Sequence, residues 1–220
     1  MLKKINWGNI VFELFSVFVG LLAALYVDSL IAESEEKNRE KEYLTEIKND
    51  LDSDITELEE ALSGMQNNFE SIQKLNKAIL IGEISADSLV DYFGRLIFIK
   101  EFRPNFTAFD IVKSKGELNI IKNQKLIYEL TELYEFSKDV ERSTQEVKDY
   151  YQHRLEPFML EHFDLKDYVW NDTVTIQSNQ MIQDPFFQNL VLMSVQKYGT
   201  QLHFHKTYLK IIQEIKSALE

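Results

Sequence analysis

The stretch EYLTEIKNDLDSDITELEEALSGMQNNFESIQKLNKAIL, residues 42–80, places apolar side chains at Leu44, Ile47, Leu51, Ile55, Leu58, Leu62, Met65, Phe69, Ile72, Leu75 and Ile79. The steps between them are 3, 4, 4, 3, 4, 3, 4, 3, 3 and 4 residues. A stripe with this spacing is one face of an α-helix, because 3.6 residues complete a turn. The rhythm is heptad-like, with one extra residue at Leu51–Ile55 that marks a local change of register. It specifies one long, coiled-coil-like helix. Periodicity alone leaves open whether the stripe meets a second copy or another helix of the same chain.

Upstream, residues 10–31 read IVFELFSVFVGLLAALYVDSLI, with Glu13 and Asp28 the only charges. A bilayer core of about 30 Å needs about 20 apolar residues at 1.5 Å each, so the length fits one transmembrane helix. Trp7 and Tyr26 stand near its two ends, where amphipathic rings prefer the interface. A buried core helix normally shows a polar face, and Leu14–Val27 has only Ser16. No A-x-A-like site precedes the acidic run that starts at Glu33, so the segment reads as an uncleaved anchor. Lys3 and Lys4 before it favour the N-terminus in the cytoplasm and the remainder outside, although Lys37, Arg39 and Lys41 follow closely. Inside the span, Gly20 and Ala24 form a small-xxx-small pair that lets two helices approach. Glu13 lies one turn inside the apolar stretch; it either snorkels to the interface or takes part in helix association.

Downstream, Gly82 is placed to end the long helix, and Ser85 or Asp87 to cap one through residues 88–100 that Pro104 stops. Thr107 with Asp110 resembles a capping box, and Gly116 can close that short helix in the left-handed conformation. Asn123 caps a further long helix with Leu126, Leu130, Leu133, Val140, Val147 and Leu155 on one face; Pro157 ends or kinks it. VWNDTVTI, residues 169–176, fits a short strand or a loop. Asp184-Pro185 starts a final helix carrying Phe187, Leu190, Val191, Tyr198, Leu202, Ile212 and Ile215. The expected fold is all-α. A transmembrane anchor over residues 1–32 precedes a helical soluble domain over 33–220, an elongated antiparallel bundle with long helices near 33–81, 123–156 and 185–219. Only 7 Gly and 3 Pro in 220 residues agree with few turns.

The chain holds 24 Lys and Arg against 36 Asp and Glu, a net charge of −12. Residues 1–31 contribute two of each sign, so the excess lies wholly in the remainder. Such a domain repels phosphate backbones, which argues against nucleic acid as a partner. No Cys is present, which removes disulfides, thiol catalysis and Cys-based metal sites.

Several residues also resemble a bacterial family of single-span membrane proteins known as a domain of unknown function. In the span the shared pattern is matched by Glu13, Gly20, Ala24 and Leu25. In the middle, a Phe-x-Pro-Asn segment and a Ser-x-Gly-x-Leu-x-x-Ile-x-Asn stretch are matched by Phe102, Pro104, Asn105, Ser114, Gly116, Leu118, Ile121 and Asn123. The likeness covers about residues 7–155 and departs at Leu30, Ile31 and Ala32, where the family carries Trp-Asn-Glu. It implies a membrane-anchored helical protein and brings no activity with it. Read from the residues, Pro104, Asn105, Gly116 and Asn123 build a corner between helices, expected at the distal tip of the bundle.

No catalytic set, cofactor motif or metal site emerges. His203 and His205 are two apart, about 200° on a helix, and cannot share a metal; His153 and His162 have no His four residues away. H-E-x-x-H, Walker and G-x-S-x-G patterns are absent from the sequence. Carboxylates are expected on solvated helix faces. The expected function is a non-catalytic, membrane-anchored interaction protein (scaffold, adaptor or sensor) whose partners are the lipid bilayer and a protein or second copy. The alternative is a homo-oligomeric pore or effector assembled through Glu13, Gly20 and Ala24. The expected location is a bacterial inner membrane, with the C-terminal domain outside the cytoplasm.

Overall fold

The computed structural model describes residues 7–97, 99–163 and 178–219, which form helices and, among the described residues, no strand. The 169–176 stretch lies outside them. Helix α1 runs from Trp7 to Ile81, 75 residues or about 110 Å. It contains no Pro, and it passes without a break from the apolar stretch into the charged one. Gly82 stops it with φ +83°, a conformation that costs a side chain dearly, and donates its N–H to the Ala78 carbonyl at 2.9 Å.

The elements that follow are α2 (Ala86–Gly94), a 3₁₀ turn (Arg95–Ile97), α3 (Thr107–Ser114), a second 3₁₀ turn (Leu118–Ile120) and α4 (Gln124–Tyr150). A π-helical turn (Tyr151–Leu155) leads into α5 (Glu156–His162), then α6 (Ser178–Met181) and α7 (Pro185–Ala218). Ser85, Asn123 and Asp184 cap α2, α4 and α7, accepting from the N–H groups of Ser88, Leu126 and Phe186. Pro157 is accommodated by the π turn. A proline lacks the N–H for the ladder and its ring crowds the carbonyl four residues back, and the wider turn removes that conflict.

Helix α7 lies antiparallel between α1 and α4: Lys216 meets Asp52, Lys206 meets Gln66, and Lys197 meets Glu146. This decides the partner of the α1 stripe. Ile47, Leu51, Leu58, Met65, Ile72 and Leu75 are buried within the single chain, against α7 and the pieces that cross over α1. Two apolar clusters result. One, centred on Leu51, Leu58, Phe109, Leu130 and Tyr208, is nearer the apolar end of α1; the other, centred on Leu75, Phe93, Phe158 and Phe187, is farther away. The stripe has one feature that its apolar residues conceal. Asp54 is 1% exposed and occupies the heptad position, whereas Ile55 is only partly buried. The register does not change there; a buried carboxylate holds the place.

The fourth side of the bundle is a strut of short pieces, residues 86–121. The expected helix over 88–100 is shorter than its apolar run: α2 stops at Gly94. Beyond it, α7 supplies what a further helical turn would have supplied, with the Tyr198 hydroxyl donating to the Leu96 carbonyl at 2.5 Å and Gln201 Nε2 to that of Lys100 at 3.4 Å.

Candidate functional site

Two regions were singled out by sequence. In the first, the α1 side chains from Phe12 to Ile31 are all exposed, and this helix is long and apolar enough to cross a membrane. Ser16 and Ser29 donate their hydroxyls to the helix's own Phe12 and Tyr26 carbonyls at 2.9 and 2.8 Å, so neither needs water. Glu13, Gly20 and Ala24 are separated by 7 and 4 residues and share one face. A Cβ added at Gly20 would meet nothing within 4 Å.

The second region is Phe102–Asn123. Asp54 accepts the Asn105 backbone N–H on both oxygens, at 3.0 and 3.1 Å, and the Tyr208 hydroxyl at 3.2 Å. Asp50, one turn earlier on α1, accepts from Asn105 Nδ2 at 3.0 Å and from the Ala108 N–H at 2.8 Å. Asn105 Oδ1 in turn accepts from the Thr107 N–H at 3.1 Å and its hydroxyl at 2.7 Å. The start of α3 is therefore capped from α1. The capping box expected of Thr107 and Asp110 does not form, because Thr107 is already inside the helix and its hydroxyl is spent on Asn105. Burial pushes the Asp54 carboxyl up to about 6, against the pull of the hydrogen bonds from Asn105 and Tyr208.

At the other end of α3, Gly116 has φ +71°, with its N–H on the Lys113 carbonyl and that of Glu117 on Val112, both at 3.1 Å. This is a Schellman closure. Glu117 then takes Arg39 at 3.0 Å and the Tyr43 hydroxyl, and Lys122 donates its N–H to Glu40 at 2.6 Å and contacts Glu36 at 3.3 Å. These partners correct the expected position. Pro104, Asn105, Gly116 and Asn123 do not form a distal tip. The segment descends along α1 from the level of Asp54 to that of Glu36, about 8 Å of helix beyond Ile31. The far end of the bundle is instead made by Gly82–Ser85 and α6, joined where Ile84 and Ser178–Asn179 exchange hydrogen bonds.

Between the two apolar clusters lies a polar layer. His205 Nδ1 is 2.8 Å from the Gln201 carbonyl, which fixes the proton on that nitrogen in the neutral ring and leaves Nε2 to accept from Thr144, 3.4 Å away. Burial holds the His205 pKa below its ordinary value. His203 is exposed, so the two histidines do point apart. Thr144 also floors a surface groove of about 480 Å³ lined by Glu101, Arg103, Lys138, Glu141 and Lys148. Its lysines are matched locally, Lys148 with Glu101 and Lys138 with Glu135, both at 2.6 Å. Among the described residues no three His, Asp or Glu are grouped to hold a metal ion.

Neither Asp50 nor Asp54 was singled out from sequence. The signal available was the interrupted stripe at Leu51–Ile55. Compared with protein-family models, curated proteins and solved structures, the chain matches none.

Proposed function

We propose that this is a non-catalytic, membrane-anchored interaction protein: residues 10–31 cross the bilayer and the remainder of α1 carries the bundle on the non-cytoplasmic side. The observation that supports it most is the contrast along one helix. From Tyr43 onward α1 buries its apolar stripe within the chain, whereas from Phe12 to Ile31 it buries none of a more apolar surface. Leaving the thirteen large apolar side chains between Phe12 and Ile31 in water costs roughly 1.5–3 kcal/mol for each, and a bilayer removes that cost. The lysines of the groove are matched by nearby carboxylates, Lys148 by Glu101 and Lys138 by Glu135, and the buried Asp54 and His205 are engaged by the fold itself, which favours a scaffold over an enzyme. Expression of the full chain followed by alkaline carbonate extraction tests the anchor. Retention in the membrane pellet is expected, and release into the supernatant would sink it. Crosslinking in native membranes tests the interaction role, with a specific partner or oligomer expected.

A further inference from the structure

The face that carries Glu13, Gly20 and Ala24 can be followed into the bundle, because five turns of helix take 18 residues. Eighteen residues beyond them stand Ile31, Asn38 and Glu42, and eighteen beyond those Asn49, Thr56 and Glu60. All six are exposed, as are Thr45, Ser53, Ser63 and Asn67 beside them. The buried stripe of Ile47, Leu51, Leu58 and Leu62 occupies the opposite side of α1. The bundle therefore hangs from the far side of α1, and nothing in the described chain obstructs the Gly20 face.

Three further observations point to what covers that face. Gly20 lies inside a helix, where glycine is less favourable than alanine. It lacks a positive φ and touches nothing in the chain, so the fold of one copy gives no reason for it, whereas close approach of a second helix does. Along Glu13, Val17, Gly20, Ala24, Val27 and Ile31 the steps are 4, 3, 4, 3 and 4, the heptad spacing that keeps two helices side by side. Lys41 and Glu46, exposed on opposite flanks of the continuing face, are five residues apart, so they meet as opposite charges across a parallel pair.

We infer that two copies of this chain pair in parallel along this face of α1, span against span, with their bundles turned outward. Each Glu13 carboxyl then has its counterpart as a polar neighbour instead of lipid. The inference rests on the span lying in the membrane.

Because the chain has no Cys, each single-cysteine variant carries one thiol. Oxidative crosslinking in native membranes is expected to be strong for Ala24→Cys, Asn38→Cys and Asn49→Cys. It should be about tenfold weaker for Leu22→Cys on the opposite side of the span and for Glu132→Cys on α4. Adding Gly20→Ile to Asn38→Cys should reduce the dimer several-fold while the chain stays in the carbonate-resistant pellet. Equal crosslinking at all five positions, or none from chains retained in the membrane, overturns the pairing and leaves the anchor standing. Loss of the unsubstituted chain from the pellet overturns both.

Discussion

At position 54 an ionisable side chain takes the place that the heptad rhythm of α1 gives to an apolar one. The structure uses it as a fixed acceptor for Asn105 and Tyr208, whose groups would otherwise be buried without partners. The charge is costly there, with Asp50 and Glu57 nearby of like sign. The folded pKa of about 6 lies above the ordinary 3.8, so the stability linked to this proton is fully present below pH 3.8 and is lost as pH rises through 6. The difference between the two values corresponds to at most about 3 kcal/mol. Asp54→Asn keeps an acceptor without the charge. Its stability relative to the parent should be highest near pH 8 and fall by about 1–3 kcal/mol on acidification to pH 4.5. Denaturant titrations of the detergent-solubilised chains at both pH values check this, and a gap that ignores pH would contradict it. His205 titrates in the opposite sense, since its lowered pKa withdraws stability as pH falls below 6.5. The comparison with the parent cancels that contribution. None of this was legible from polarity patterns, which assign a lone Asp to the solvent. What buries it is a set of donors from residues 51 and 154 positions away.

Among the elements, the ends of helices were the most legible. Gly82, Ser85, Gly116, Asn123 and Asp184 act where local chemistry puts them, because caps and left-handed glycines depend on neighbours within a few residues. Gly116→Ala should cost about 1–2 kcal/mol, seen as a drop of several degrees in Tm, because its φ of +71° crowds a Cβ against the backbone. Gly20→Ala, in a helical backbone and with no atom from elsewhere in the chain within 4 Å of the added Cβ, should not lower it. Less legible were the end of α2 and the start of α3. Both are set by α1 and α7, which supply acceptors and donors that no local motif encodes. The same distance effect hid the position of the 102–123 segment. Its local pattern reads equally well as a corner at either end of a bundle, and only the ties of Glu117 and Lys122 to Arg39, Tyr43, Glu36 and Glu40 place it at the end nearest the apolar segment.

For the whole molecule, the central consequence is that the long apolar stripe is satisfied within one chain. Leu58 is fully buried between α1 and its neighbours, so Leu58→Ala should cost about 2–5 kcal/mol by opening a cavity. It should leave the oligomeric state in detergent unchanged, because the seam it weakens is intramolecular. Thermal melts and size-exclusion with light scattering separate the two effects, and a shift to a smaller species would place the stripe between copies instead. The opposite side of α1 stays open from Phe12 into the bundle, where Asn38, Glu42, Asn49, Thr56 and Glu60 are all exposed. The sequence by itself determined the all-helical class, the faces of the long helices, their caps and the apolar segment over residues 10–31. Each of these follows from residues within a turn or two of one another. Only the tertiary structure decided that α7 closes the stripe, that Asp54 is part of the core, and that the 102–123 segment descends toward the apolar segment of α1. Those outcomes depend on polar and apolar partners brought together from opposite ends of the chain, and no local period records them.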